Sequence, residues 1–213
     1  MLNQVFLKLD PCNTTTLTLL TSKQEEVYGL WNTIALGDGS PATSKSRFGY
    51  YPADEAPQYA LDQDSTTKYL NFGNCTFCER GVDCGINTGF YVTLQQGPTL
   101  LLAIQFTTAN DNIQRDPLSI TIEGSNANSS ALMRGTSWSL IYTMSTGLDV
   151  DPGREADGTP QCLRNNTVWH TSYRILVTSK RAFSSSVQYS GIKLFGLNNL
   201  SRTESKNSSA SAI

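Results

Sequence analysis

Charge and histidine are what this chain has least of. Charged residues fill 16% of its 213 positions, where a soluble domain usually carries about 25%. Its 16 Lys and Arg nearly balance 18 Asp and Glu, for a net charge of −2, and no block of one sign stands out. Such a chain lacks the electrostatic footprint of a nucleic-acid binder or of a protein that lies on an anionic membrane. There is one histidine, His170, so a Ser–His–Asp triad would have to be built on it. No nucleophile elbow, P-loop, GxGxxG or HExxH accompanies it. Asp149 and Asp151 read as solvated turn residues rather than as the paired carboxylates of a glycosidase. No apolar run approaches the roughly 18 residues of a membrane helix, so no membrane insertion is expected. Residues 1–10 have no basic flank and apolar stretch of the signal-peptide kind. The expectation is a non-enzyme.

What is present points outside the cell. Ser and Thr number 47 and Asn 15, and Asn-x-Ser/Thr occurs at Asn13, Asn74, Asn128, Asn165, Asn199 and Asn207. Of the five cysteines, Cys75, Cys78 and Cys84 crowd together, while Cys12 and Cys162 stand apart. Cys75-x-x-Cys78 has a zinc-ligand spacing, but no second such pair exists to complete a site. A short disulfide-closed loop, Cys75 or Cys78 with Cys84, is the better reading in an oxidising compartment, and Cys12–Cys162 is a candidate second bridge. The odd cysteine is free or pairs outside the chain. These features read as a secreted or cell-surface glycoprotein, part of a longer protein that carries the signal.

Along the chain, the patterning is mostly β. Val27, Leu30, Trp31 and Ile34 fall on one helical face, and Ser22 with Glu25 makes a capping-box pattern, so a short helix is expected near Gln24–Ala35. A strand there is the alternative. Residues 37–64 are punctuated by Gly, Pro, Ser and Asp as a loop is. Phe90–Leu94, Leu100–Thr107, Leu118–Ile122, Trp138–Tyr142, Ser172–Thr178 and Val187–Leu194 are short apolar or alternating runs with turn residues between them. They predict an all-β antiparallel sandwich or jelly roll. The division is an N-terminal extension over 1–35, the sandwich over 36–197 and a Ser-rich disordered tail or linker over 198–213. Trp138 and Phe195 read as core, and Arg115-Asp116 as a structural pair before a strand.

One constellation carries chemistry. Asp62, Asp64, Ser65, Thr66 and Thr67 set hard oxygen ligands on one tight turn, which suits Ca²⁺, although an Asx-type turn without metal uses the same residues. The surrounding EAPQYALDQDSTTKYLNF resembles the opening signature of discoidin-type, galactose-binding-like domains, the group of coagulation-factor type C domains and many carbohydrate-binding modules. TTANDNIQRDPLSITIEGSN followed by GTSWSLI, and SYRILVTSKRAFSSSVQYSGIKLFG, resemble later blocks of the same group in the same order. The resemblance implies a jelly-roll sandwich with a structural Ca²⁺ near one end. It matches Asp62 and Thr67 to side-chain ligands, Asp64 to a carbonyl or carboxylate ligand and Ser190 to a carbonyl ligand. The chain departs where Gly191 replaces a common Glu, which removes one charged ligand that Glu55 could restore. Gln63 for Gly and Tyr69 for Trp are milder departures.

A sugar face needs an aromatic plate and convergent polar groups. The candidates lie in loops: Tyr50 and Tyr51 after Phe48-Gly49, Trp169 with His170, and Asn110 with Asn112. The expected partners are glycans of a cell surface or matrix, or alternatively a surface or matrix protein bound by an adhesion module with no sugar pocket.

Overall fold

A computed structural model describes residue 14 and residues 17–76 and 82–198. Twelve strands run β1 Thr18–Leu19, β2 Val27–Trp31, β3 Ser40–Pro41, β4 Tyr69–Asn71, β5 Thr88–Thr93, β6 Leu100–Thr107, β7 Pro117–Ser125, β8 Ser139–Ser145, β9 Gln161–Cys162, β10 Ser172–Lys180, β11 Val187–Tyr189 and β12 Gly191–Leu197. They form a six-stranded sheet ordered β3-β2-β5-β10-β7-β8, a four-stranded sheet ordered β1-β12-β6-β9, and the pair β11-β4. All named pairings are antiparallel. Among the described residues the only helical pieces are short 3₁₀ turns, such as Pro57–Ala60 and Ser129–Ala131.

The sheets pack face to face because their inward positions are apolar. Alternation in β12 points Ile192 and Leu194 inward, and Ile120 and Ile122 of β7 do the same. With Phe90, Val92, Ile104, Phe106 and Ile175 they fill the main core. Burying each such side chain contributes about 1.5–3 kcal/mol.

The six-stranded sheet is covered on its outer side too. Leu30, Tyr91 and Leu176 meet Leu132 and Trp138 from the 127–138 segment in a second core. This double covering explains the main correction to the sequence reading. Val27 packs on the main core and Leu30 on the second, so β2 is apolar on both faces and imitates a helical period. The expected helix over Gln24–Ala35 is a strand. The Ser22–Glu25 pairing does form, with Ser22 N and Oγ each 3.1 Å from Glu25 Oε1. It closes a loop, and Glu25 Oε2 then accepts Gln95 N at 3.1 Å.

The sandwich also starts earlier than expected: β1 pairs with β12 and β2 with β5, so residues before 36 supply strands to both large sheets. Trp138 is core, as expected. Asp116 takes Arg154 rather than Arg115 as its partner. The Ser-rich tail lies outside the described residues except for Asn198.

Candidate functional site

Several expected site residues gather where β6 ends and β12 begins. The 3₁₀ turn Pro57–Ala60 delivers the chain to Asp62–Thr67, and Gln63 adopts φ 61°, the left-handed conformation that a Gly would take without strain. Asp62 Oδ1 accepts Asp64 N at 3.0 Å, and Oδ2 accepts the Thr67 hydroxyl at 2.7 Å. That hydroxyl also lies 3.0 Å from Asp64 O. Asp64 Oδ1 accepts Thr66 N and Oγ1 at 2.9 and 2.7 Å. These hydrogen bonds hold the Asp64 carboxyl below its usual range. Three oxygens, from Asp62, Thr67 and Asp64, therefore lie together, hydrogen-bonded to one another. They bring one carboxylate, and among the described residues no three acidic, His or Cys side chains surround one point.

Glu55 does not supply the missing charge, because Lys68 Nζ lies 3.3 Å from it. Beside Gly191 stands Thr107, whose hydroxyl donates to Asp157 Oδ1 at 2.6 Å, and Asp157 Oδ2 accepts Lys193 Nζ at 2.5 Å. Asp64, Ser65, Thr107, Asp157, Ser190 and Lys193 line a polar cleft of about 280 Å³. Ser190 Oγ is buried there with no hydrogen-bond partner. Asp157 and Lys193 were missed from the sequence. Asp157 is far from Gly191 in the chain; the β6–β12 register sets Gly191 opposite Thr107, and a bridge from Thr107 to Asp157 brings the carboxylate there.

Asn110 and Asn112 sit at the same end and are tied into a charged loop network. Lys68 Nζ donates to Asn110 Oδ1 at 3.0 Å and to Asp111 Oδ1 at 2.8 Å, and Asn112 Nδ2 donates to Asp111 Oδ2 at 2.9 Å. Burial alone would raise the Asp111 carboxyl, but the Lys68 and Gln188 hydrogen bonds outweigh it and hold the carboxyl low. Buried Asp116 is clamped by Arg154 at 2.8 and 2.6 Å.

The expected aromatics are not assembled with these polar groups. Tyr51 packs edge-on to Tyr69 at 6.2 Å and Tyr50 is tilted against Phe72 at 5.8 Å. Phe48 is the exposed ring of that loop, held between Trp31 and the Arg47 guanidinium. Trp169 and His170 lie at the opposite end, where His170 bridges to Thr99 ahead of β6. The eight residues of β6 separate the two ends by about 25 Å. The six candidate sugar contacts therefore do not form one site. His170 is 5% exposed, its ring edge-on to Tyr173 and against Gly124. Burial lowers its pKa, and the ring serves packing.

A second concavity, unmarked in the sequence, lies on the outer face of the six-stranded sheet. It is a groove of about 650 Å³ beside the exposed Tyr28 ring. The disulfide Cys75–Cys84 is present, with a Cα–Cα distance of 5.9 Å. Cys162 is disulfide-bonded as well, whereas Cys12 and Cys78 lie outside the described residues. Asn74, Asn128 and Asn165 are exposed, and Asn13, Asn199 and Asn207 lie outside the described residues.

No family profile and no curated protein matches this sequence. The backbone does find counterparts. An F5/8 type C domain from Bacteroides fragilis aligns over 85% of this chain and 97% of its own, at 13% identity and a TM-score of 0.53. The fold is that of discoidin-type, galactose-binding-like domains. The same discoidin-type sandwich occurs in the family 32 CBM of Clostridium perfringens NanJ, solved in complex with galactose. It covers 84% of this chain and 98% of its own at 7% identity and a TM-score of 0.53. A fucolectin from Morone saxatilis shares 84% of this chain and 49% of its own length, at 11% identity and a TM-score of 0.51.

Proposed function

We propose that this chain is a non-catalytic carbohydrate-recognition module that works outside the cell. The observation that carries this is the loop-end cleft. Carboxylates of Asp64 and Asp157, hydroxyls of Ser65, Thr107 and Ser190, and the Lys193 ammonium line one small concavity. A polyol needs that mixture of acceptors and donors. Solved neighbours of this fold hold galactose and GalNAc-β-1,3-galactose, which supports glycans as the partner class. Exposed sequons and the Cys75–Cys84 disulfide support an oxidising, extracellular setting.

Binding without catalysis is supported by the state of the ionisable groups. His170 is enclosed by packing. Asp64, Asp83, Asp111 and Asp151 have carboxyls held low by hydrogen bonds, so none of the four has the raised pKa of a general acid. In the same reading Asp62, Asp64, Thr67 and Ser190 would hold a structural Ca²⁺, which would brace the rim of the cleft. Protein adhesion is a second reading. It is favoured by the exposed Val82, Ile86 and Phe183, two neighbouring loops joined where Cys84 N donates to Ser184 O.

A glycan array on the full, oxidised chain, with Ca²⁺ and with chelator, tests the proposal. Glycan binding that weakens at least about tenfold in Asp157→Ala is expected. Loss with chelator would assign the metal its bracing role. No binding by a demonstrably folded protein would overturn the glycan reading and favour the adhesion one.

A further inference from the structure

A row of side chains crosses the outer face of the six-stranded sheet. Tyr28 of β2 is in register with Tyr91 of β5, Tyr91 with Arg174 of β10, and Arg174 with Glu123 of β7. The row is a continuous stack. The Tyr28 and Tyr91 rings lie 4.9 Å apart at 10°, Trp138 lies 6.0 Å from Tyr91, and the Arg174 guanidinium sits 4.8 Å over Trp138. Glu123 closes it with hydrogen bonds of 2.6 and 2.8 Å from Arg174. Every rung is buried except Tyr28, which is 47% exposed. Its hydroxyl donates to Glu26 Oε2 at 2.8 Å, so the ring is held as a fixed plate with one face on Tyr91.

The groove beside this plate has a polar rim of Glu26, Thr93, Gln95, Ser129 and Ser130. Gln95 Nε2 donates to Gln24 O at 2.7 Å, which leaves Oε1 as an acceptor. Leu94 and Leu132 on the groove wall are buried. The accessible apolar surface is thus essentially one ring, too little for a protein interface core, which needs a contiguous patch of several hundred Å². Among the described residues no Lys or Arg lines the groove, so an anion finds no counter-charge there. A pre-set aromatic plate with hydroxyl, amide and carboxylate groups around it matches a neutral sugar ring, with C–H groups for the plate and hydroxyls for the rim.

We infer that this groove is a second saccharide site, separate from the loop-end cleft and built on Tyr28. The inference rests on the glycan-recognition reading but not on the cleft. The cleft is lined from β6 and β12, the groove from β2 and β5, which belong to the other sheet. The module would then hold two sugar units at once. Asn128 of the Asn128-Ser129-Ser130 sequon is exposed at the groove's lip, so the chain's own glycan is a competing occupant.

The test is an amide NMR titration of the full chain carrying Asn128→Gln, which removes that glycan. The probes are methyl β-galactoside, N-acetylgalactosamine, GalNAc-β-1,3-galactose, methyl β-glucoside and methyl α-mannoside. With at least one probe, saturable shifts are expected across 26–28, 91–95 and 127–132, weakened at least about tenfold in Tyr28→Ala and retained in Tyr28→Phe. Ser130→Arg, at an exposed position outside the strands, should block the groove with the plate intact and serves if Tyr28→Ala does not fold. Shifts confined to Asp64, Asp157, Ser190 and their neighbours would overturn this inference and leave the proposed function standing. Groove shifts that survive both Tyr28→Ala and Ser130→Arg would overturn it as well. No shift with any probe would overturn both.

Discussion

The loop-end cleft and the sheet-face groove are built from opposite materials. The cleft is made of hydrogen-bonding groups on loops and strand ends, and its Asp157–Lys193 pair is more than a third exposed on each side on average. The groove is made of one exposed ring whose support is a fully buried ion pair, Arg174–Glu123. Glu123 Oε1 also accepts Leu36 N at 2.7 Å, and Arg174 donates to Gly37 O at 3.0 Å, so the pair fastens the 36–37 segment to the sheet. The difference lies in what positioning costs. An exposed pair can be lost with little effect on the fold, because water already screens it. A buried pair cannot lose one member, because the other is left charged and unpartnered in the interior.

Breaking the buried pair should have the largest effect. Glu123→Ala is expected to destabilise the protein by about 3–5 kcal/mol, read by denaturant unfolding. Sugar-induced shifts in the groove should weaken while those in the cleft persist in the fraction that remains folded. An unfolding midpoint equal to wild type would show that the ladder does not depend on this pair.

Next comes the staple at the loop end. Cys84→Ser opens the Cys75–Cys84 bridge, which spans nine residues, and should cost about 2–3 kcal/mol under oxidising conditions. Wild-type protein in reductant should fall at least as far, because the disulfide of Cys162 opens too. The cleft itself should be cheap to alter: Asp157→Ala should change stability by no more than about 1 kcal/mol while abolishing cleft binding. If it unfolds the protein, the contrast between the two regions is wrong.

The smallest effect is a pH dependence at the far end of the sandwich. Burial lowers the pKa of His170, so the unfolded chain takes up a proton more readily than the folded one. Stability should be complete above the unfolded pKa of about 6.5 and decline as the pH falls through the lower folded value. His170 is the only histidine, so this slope should vanish in His170→Gln. A folded-state titration by NMR above 6.5 would contradict the assignment.

Much of the fold was legible because period-two alternation survives in most strands. Leu100–Thr107 was read with the bounds it has in the structure, and β7 and β10 were placed nearly as well, whereas the single run Val187–Leu194 divides into β11, paired with β4, and β12, paired with β6. β2 was misread because both of its faces are covered, so alternation gave way to an apparent helical period. The Ser22–Glu25 pair reinforced the error, since Glu25 accepting Ser22 N is one half of a capping box and here closes a loop instead. Of the candidate site, the Asp62–Thr67 turn was legible as a local oxygen cluster, because its ligands are neighbours in the chain. The sugar contacts were not. Tyr50, Tyr51, Trp169 and His170 looked available as loop aromatics, but loop position does not say which way a ring faces. Three of these rings pack against other rings, Tyr50 on Phe72, Tyr51 on Tyr69 and His170 on Tyr173.

The sequence by itself determined the strand-rich class, the lack of a basic block or long apolar run, the Asp62–Thr67 turn and a short loop closed at Cys84 by Cys75 or Cys78. All of these depend on residues close together along the chain. Only the tertiary structure decided that Asp157 stands by Gly191 and pairs with Lys193, that Asn110 and Trp169 lie at opposite ends, and that Tyr28 ends a stack anchored by Arg174 and Glu123. Those relations are set by strand order and register across two sheets, and antiparallel register is a long-range property that local pattern does not encode.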